Sequence, residues 1–355
     1  MSTQQSLILV TGANGFIASH IIARLLERGD QVRGTVRDLN SAEKTEHLKT
    51  LEGAEERLDL VEADLLDTDS LRAAAADVES VLHTASPYTL EAEDPQRELV
   101  DPALRGTLGM LKACAETESV RRVVLTSSMA AVTDEPEDDR VLTENDWNMK
   151  SSLDRNPYYY AKTRAEQEAW QFMEREKPDF DLIAINPFLC IGPSLSPAVN
   201  TSNQTLVDLL SGVYPGIMSL TLGIVDARDV ALAHIRALEK PAAAGRYLCV
   251  AENIAMRDLV DWLRQNGYEQ YRLPKFKLDN APGDVLIKFF SYLQPRGVGQ
   301  YLRSHIGRTP RVDTSKIQKD LDLTFRSLET TFSDTMDDLK KWGHLPELDP
   351  VLTAD

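Results

Sequence analysis

Three consecutive tyrosines stand in the stretch NPYYYAKTRAEQ, and the first of them, Tyr158, precedes Lys162 by four residues. On a helix, side chains at that spacing lie one turn apart on the same face. Tyr158 therefore has the lysine beside it, while Tyr159 and Tyr160 point elsewhere. A phenol with a pKa of about 10 is a poor acid–base group at neutral pH. A neighbouring ammonium stabilises phenolate and lowers that pKa, and a positively charged ring nearby acts the same way. Such a tyrosine can give a proton to a carbonyl oxygen as hydride reaches the carbon. A hydroxyl is also needed to hold that oxygen. The stretch RRVVLTSS reads as a buried strand ending in Ser127 and Ser128, and the carboxyl ends of parallel strands face the ligand crevice. Ser128 is assigned the orienting role, with Ser127 as the alternative. The competing reading for both is a helix or turn cap.

A hydride donor is implied at the other end of the same unit. VTGANGFIAS places Gly12, Gly15 and Ala18 at Gly-x-x-Gly-x-x-Ala spacing, directly after a strand and at the start of a helix. Gly12 permits the tight turn, Gly15 lets backbone approach a pyrophosphate, and Ala18 allows close helix–strand packing. The helix N-terminus then receives the anion. An NAD site usually carries an acid at the end of the second strand, about 20 residues on, for the ribose hydroxyls. Here that region is RGTVRD, where Arg37 can hold a 2′-phosphate bidentately and Lys44 can reach it from the next loop. NADPH is thus expected over NADH, although Asp38 could pair with Arg37 or serve NAD. Asp64-Leu65, after the third strand, sits where a carboxylate can accept from the adenine amino group; the competing job is a helix N-cap, for which Asp67 and Thr68 also stand in line.

These residues need a scaffold, and the strand and helix signals alternate to provide one. LILVTG, QVRGTVR, RLDLVEAD, ESVLHTAS, RRVVLTSS and DLIAINP read as strands, GRYLCV as a further one, and residues 16–27 and 157–176 as helices. Strands separated by such helices imply right-handed crossovers and one doubly wound parallel sheet. The expected fold is α/β: a Rossmann domain over 1–186 that also receives 224–250, and a smaller C-terminal substrate domain from 187–223 and 251–355. The segment 268–312 reads as irregular, with one apolar helix candidate in DVLIKFFSYL. The acidic run DEPEDD, residues 134–139, reads as a solvated loop.

Composition bounds the partners. Lysine plus arginine total 39 and aspartate plus glutamate 56, a net charge of −17. Such a surface repels phosphate backbones and anionic lipid, so nucleic acid and membrane are poor partners. No apolar run approaches the roughly 20 residues a bilayer requires. MSTQQ lacks the regions of a signal peptide. The three cysteines read as reduced thiols in the cytoplasm, and the scattered histidines speak against a metal site.

VTGANGFIASH, VRGTVRD, VLHTASP, RRVVLTSS, NPYYYAK, NPFLCIGP and NTSNQTLVDLL together resemble the extended short-chain dehydrogenase/reductases, across nearly the whole chain. Within them the chain is similar to the branch of dihydroflavonol reductase, cinnamoyl-CoA reductase and the microbial aldehyde, methylglyoxal and ketone reductases. The resemblance implies that Gly12 to Ile17, with Asn14, Gly15 and Phe16, form the pyrophosphate loop. Arg37 and Lys44 bind the 2′-phosphate and Asp64-Leu65 contact adenine. Thr84, Ala85 and Ser86 pass under the ribose and nicotinamide, and Thr126 adds a cofactor contact. Ser128, Tyr158 and Lys162 form the catalytic group, with Tyr158 and Lys162 also touching the cofactor. Pro187 and Phe188 sit against the nicotinamide, and Ser202 reaches the phosphates. Tyr88, Met129 and Phe188 are pocket candidates. The function implied is NADPH-dependent reduction of a small aldehyde or ketone. The alternatives are a dihydroflavonol- or cinnamoyl-CoA-type reductase and, in another class, an NADP-binding sensor without turnover. NPYYYAK echoes the Asn-Trp-Tyr-Cys-Tyr-Gly-Lys signature of cinnamoyl-CoA reductase with Trp, Cys and Gly replaced, and SSMAAVTDE lacks the Val-Tyr-Gly run of nucleotide-sugar epimerases.

Overall fold

The computed structural model describes residues 6–86 and 92–348. In chain order the principal elements are β1 (Leu7–Thr11), α1 (Phe16–Glu27), β2 (Gln31–Val36), β3 (Leu58–Glu62), β4 (Ser80–His83), α2 (Asp101–Ala115), β5 (Arg122–Thr126), α3 (Pro157–Glu176) and β6 (Asp181–Pro187). There follow β7 (Leu189–Ile191), α4 (Thr201–Leu210), β8 (Thr221–Asp226), α5 (Ala227–Glu239), β9 (Gly245–Cys249), β10 (Glu252–Ala255), α6 (Met256–Leu263), α7 (Ala281–Phe290), α8 (Arg296–His305) and α9 (Leu328–Lys341).

Seven strands form one sheet in the order β9-β6-β5-β4-β1-β2-β3, parallel throughout. This is the doubly wound α/β sheet expected. The apolar strands are buried on both faces because helices cover both. Ile8, Val10, Leu82, Val124 and Ile183 face α1 and α5. Leu9, Val81, Val123 and Leu182 face α2 and α3. The strand order reverses between β1 and β4, and ligands bind outside the carboxyl ends at such a switch point.

A second apolar core joins α4, β8, α6, α7 and α9, with Leu206, Ile224, Val260, Ile287 and Phe332 among its members. A small sheet, β10-β8-β7, lies beside it. The chain then returns to the large sheet: Ile317, Leu321 and Leu323 pack into the core beneath α1 and α5.

Two expectations are corrected. Residues 268–312 hold two helices, α7 and α8. In DEPEDD, Asp134 is only 1% exposed and accepts from Arg155 Nε at 2.7 Å. Glu135 takes Arg155 Nη2 at 2.8 Å and also pairs with Arg308. Only the last three residues of the run are exposed.

The described residues contain no helix long and apolar enough to cross a membrane and no cluster of His, Cys, Asp or Glu able to hold a metal ion. Cys114, Cys190 and Cys249 are buried free thiols.

Candidate active site

The dinucleotide end is built by close approach. Gly12 has φ +66°, and a Cβ there would lie 3.1 Å from Ala85 Cβ. A side chain would cost about 1–2 kcal/mol in backbone strain alone, besides displacing Ala85. The Gly12 amide donates to Thr35 Oγ1 at 3.0 Å and the Ala13 amide to the Thr35 carbonyl at 2.8 Å, tying the turn to β2. Gly34 makes that approach possible, because a Cβ on it would meet Ala13 and Leu60 at 2.9 Å. Gly34 and Thr35 were not singled out in the sequence, where RGTVR reads simply as a strand. Gly15 precedes α1 in an extended conformation, and no side chain caps that helix end. Its first-turn amides, with partly buried Asn14, Phe16 and Ile17 around them, suit an anion.

Thr11 Oγ1 receives the amides of Thr84 and Ala85, both at 3.1 Å, which fixes the Thr84–Ser86 segment against β1. Arg37 and Lys44 are exposed, and among the described residues neither has an ion-pair partner. Asp38 instead accepts the Asn40 amide at 2.9 Å. Asp67 caps the helix Thr68–Ala75, so exposed Asp64 is not used as that cap. Leu65 packs on α2, where a Cβ on Gly106 would lie 3.0 Å from it.

Tyr158 and Lys162 stand on α3. Asn156 adopts the left-handed conformation, φ 48° and ψ 66°, just before Pro157. Asparagine tolerates that region, and the proline ring disfavours a right-handed helical residue ahead of it. The Asn156 side chain reaches Asp134 and, at 3.4 Å, Ser304 Oγ. Helix start, acidic loop and α8 are thereby joined. Tyr158 and Ser128 both line one cavity of about 620 Å3, with Met129 and Phe188. Ser202 lies in the same wall, on the first turn of α4. Tyr159 also lines this cavity and packs edge-on against Tyr158 and tilted against His305. Pro187 ends β6 as a buried strand terminator beside Phe188. Tyr88 lies outside the described residues.

Lys162 donates to the Thr126 carbonyl at 3.4 Å. Loss of water around its ammonium pulls its pKa down to about 8, and Glu166 acts in the opposite sense. The Thr126 side chain turns away from the crevice, to buried His234 at 2.7 Å, so its contact with the lysine is through the main chain. The two serines differ sharply. Ser127 is buried and donates to Glu166 at 2.5 Å. The Ser128 hydroxyl accepts the Ala130 amide at 3.1 Å and, among the described residues, has no side-chain partner; Ser128 lines the cavity. Glu166, Asn186 and Arg246, which surround this floor, were missed; the one available signal was that Glu166 follows Lys162 by four residues, the spacing that links Tyr158 to Lys162.

The chain is similar to known proteins. The model of the NAD dependent epimerase/dehydratase family matches residues 8–251. Cinnamoyl-CoA reductase 1 of Arabidopsis thaliana is 39% identical over 95% of this chain and 90% of its own. Tetraketide alpha-pyrone reductase 1 of the same plant is 36% identical over 99% of this chain and all of its own (100%). Among solved structures, yeast methylglyoxal/isovaleraldehyde reductase Gre2, complexed with NADPH, matches with a TM-score of 0.78 at 30% identity, covering 96% of this chain and 100% of that one. The match thus runs through both the glycine cradle and the tyrosine–lysine helix, and the chain belongs to the NAD dependent epimerase/dehydratase family, the extended short-chain dehydrogenase/reductases, as an oxidoreductase.

Proposed function

We propose that this protein is an NADPH-dependent reductase of an uncharged aldehyde or ketone, giving the alcohol. The observation that carries the reading is the placing of Tyr158 and Ser128 in the wall of one largely apolar cavity, with Lys162 one helical turn behind. Bound NADPH would supply the hydride. Gly12 to Ile17 would hold its pyrophosphate against the α1 N-terminus, and Arg37 and Lys44 its 2′-phosphate. The cradle that a Cβ would fill at Gly12 and the two uncommitted cations fit that group. That Gre2 was solved with NADPH supports the choice of dinucleotide.

Within the cavity, Ser128 Oγ donates to the carbonyl oxygen and sets its direction. Tyr158 gives the proton to that oxygen as charge develops on it. The Lys162 ammonium stabilises the phenolate left behind and would hold the nicotinamide ribose of the bound cofactor. Ser127 takes no part in orienting the substrate, because Glu166 holds its hydroxyl. Burial of the surroundings excludes water and strengthens each of these interactions.

A second reading, a cinnamoyl-CoA-type reductase, is favoured by the names of several relatives at 36–39% identity. Against it, the described residues of the cavity wall include no lysine, arginine or histidine, and Asp208 is the charged side chain there. Among the described residues of the wall, a phosphorylated carrier would find no counter-charge. The test is NADPH oxidation against a panel of neutral aldehydes and ketones, dihydroflavonols and CoA thioesters. Turnover with neutral carbonyls is expected to exceed that with thioesters; turnover confined to the thioesters would replace the first reading by the second.

A further inference from the structure

Beneath the serines lies a buried ion pair that the mechanism above does not use. Glu166 and Arg246 have side chains 0% and 7% exposed. Arg246 donates Nε to Glu166 Oε1 at 2.6 Å and Nη2 to Oε2 at 3.3 Å. Its Nη1 donates to the carbonyls of Glu144 and Asp146 at 3.0 and 2.6 Å, and Trp147 stacks 3.8 Å from the guanidinium. Glu166 is further held by Ser127 Oγ at 2.5 Å, Asn186 Nδ2 at 2.8 Å and Trp170 Nε1 at 3.2 Å. Asn186 Nδ2 is shared with the Ser128 carbonyl, at 3.1 Å. Desolvating two charges is expensive, and apolar replacements of such pairs are often as stable or more so. Stability alone is therefore a poor reason for charges at this place.

We propose that Glu166, neutralised from behind by Arg246, is a positioning residue of the reductase site. It turns Ser127 away from the cavity, it anchors the Ser128 main chain through Asn186, and its carboxylate supports the positive charge of Lys162 one turn earlier on α3. The inference rests on the reductase reading for its consequence in catalysis, but its electrostatic part belongs to the folded chain. Glu166 is the charged side chain whose field favours the Lys162 ammonium. From β4, His83 also faces Lys162, and burial first and the lysine second pull its pKa to about 4, leaving it neutral near pH 7. Among the described residues, the other charged groups on the elements packed against α3 are exposed or bonded elsewhere: Arg97, Glu98, Arg105 and Lys112 are exposed, exposed Asp181 takes Arg122, and Asp101 is bonded to Gln96.

The sign follows directly. A carboxylate favours the charged ammonium, so its loss lowers the lysine pKa. The titration of Lys162 is followed by NMR of 13C-labelled lysine side chains in the full-length protein without NADPH, with Lys162→Arg identifying the signal. The midpoint, about 8 in the native chain, is expected to fall by about one pH unit in Glu166→Gln. It is expected to fall likewise in Glu166→Gln/Arg246→Gln, which leaves no unpaired buried charge should the single variant fold poorly. Glu166→Asp, retaining the charge, restores most of the midpoint. In turnover the alkaline limb of kcat should move to lower pH with the same variants. An unchanged midpoint in both glutamine variants would reduce the pair to a structural role and overturn the proposal. Failure of the native protein to oxidise NADPH with any carbonyl compound would instead strike the reductase reading, and the titration would still decide the charge coupling.

Discussion

Replacing Tyr158 by phenylalanine is expected to lower kcat by about 10²–10⁴-fold, the range for loss of one general acid, while NADPH affinity stays within about twofold. The substitution removes one hydroxyl and keeps the ring, so the edge contact with Tyr159, at 6.1 Å between centroids, survives. The helix is unaffected, because its start is set by Asn156 and Pro157. Steady-state kinetics and a fluorescence titration with NADPH separate the two quantities. Tyr159 provides the internal control. It shares the cavity wall but not the helical face of Lys162, so Tyr159→Phe should change KM for the carbonyl compound more than kcat. A larger kcat loss at Tyr159 than at Tyr158 would transfer the acid role to the wrong tyrosine for this account.

The second large effect is expected at Arg37. Arg37→Ala should weaken NADPH binding about 10–100-fold, in line with the 1.5–3 kcal/mol of a hydrogen bond to a charged group, and leave NADH within about twofold. An arginine already paired with Asp38 would contribute little on the surface. Here Asp38 is engaged by the Asn40 amide instead, and Arg37 stands exposed at the end of β2. Dissociation constants for both dinucleotides, measured in the native and variant proteins at one ionic strength, give the comparison. Equal losses for NADPH and NADH would remove Arg37 from the 2′-phosphate site.

Much of the scaffold was legible because it follows from short-range rules. The inner sheet strands β1, β4, β5 and β6 are largely apolar runs bounded by polar turns, and helices on both faces demand that pattern, while edge-side β2 and β3 alternate. Helix α3 announces itself through Pro157 at its first position. Helix α8 was missed because Gly297 and Gly299 depress its helical propensity. A Cβ on Gly299 would run into the Ser291 carbonyl oxygen, so the packing against the preceding turn requires glycine there. The acidic loop misled for a related reason: Asp134 and Glu135 look solvated until Arg155 and Arg308, far along the chain, are brought to them.

The site divides the same way. Tyr158 and Lys162 are related by one helical turn and could be paired from spacing. The choice between Ser127 and Ser128 could not, since it depends on Glu166, 39 residues away, claiming the first hydroxyl. Arg246 in GRYLC read as one more strand residue, because nothing local distinguishes a buried guanidinium from an exposed one. Gly34 carried no visible signal either; its need is steric and arises only when the Gly12 turn folds against β2.

The central claim is that a phenol and a serine hydroxyl meet at one substrate oxygen. The measurement that bears on it most directly is a crystal structure of the protein with NADP+ and the alcohol product of a substrate it turns over. The account requires the alcohol oxygen within about 2.6–3.2 Å of both Tyr158 Oη and Ser128 Oγ, with Lys162 behind the tyrosine. An oxygen bound instead by Tyr159 or Ser127, or lying beyond hydrogen-bond reach of Tyr158, would contradict it.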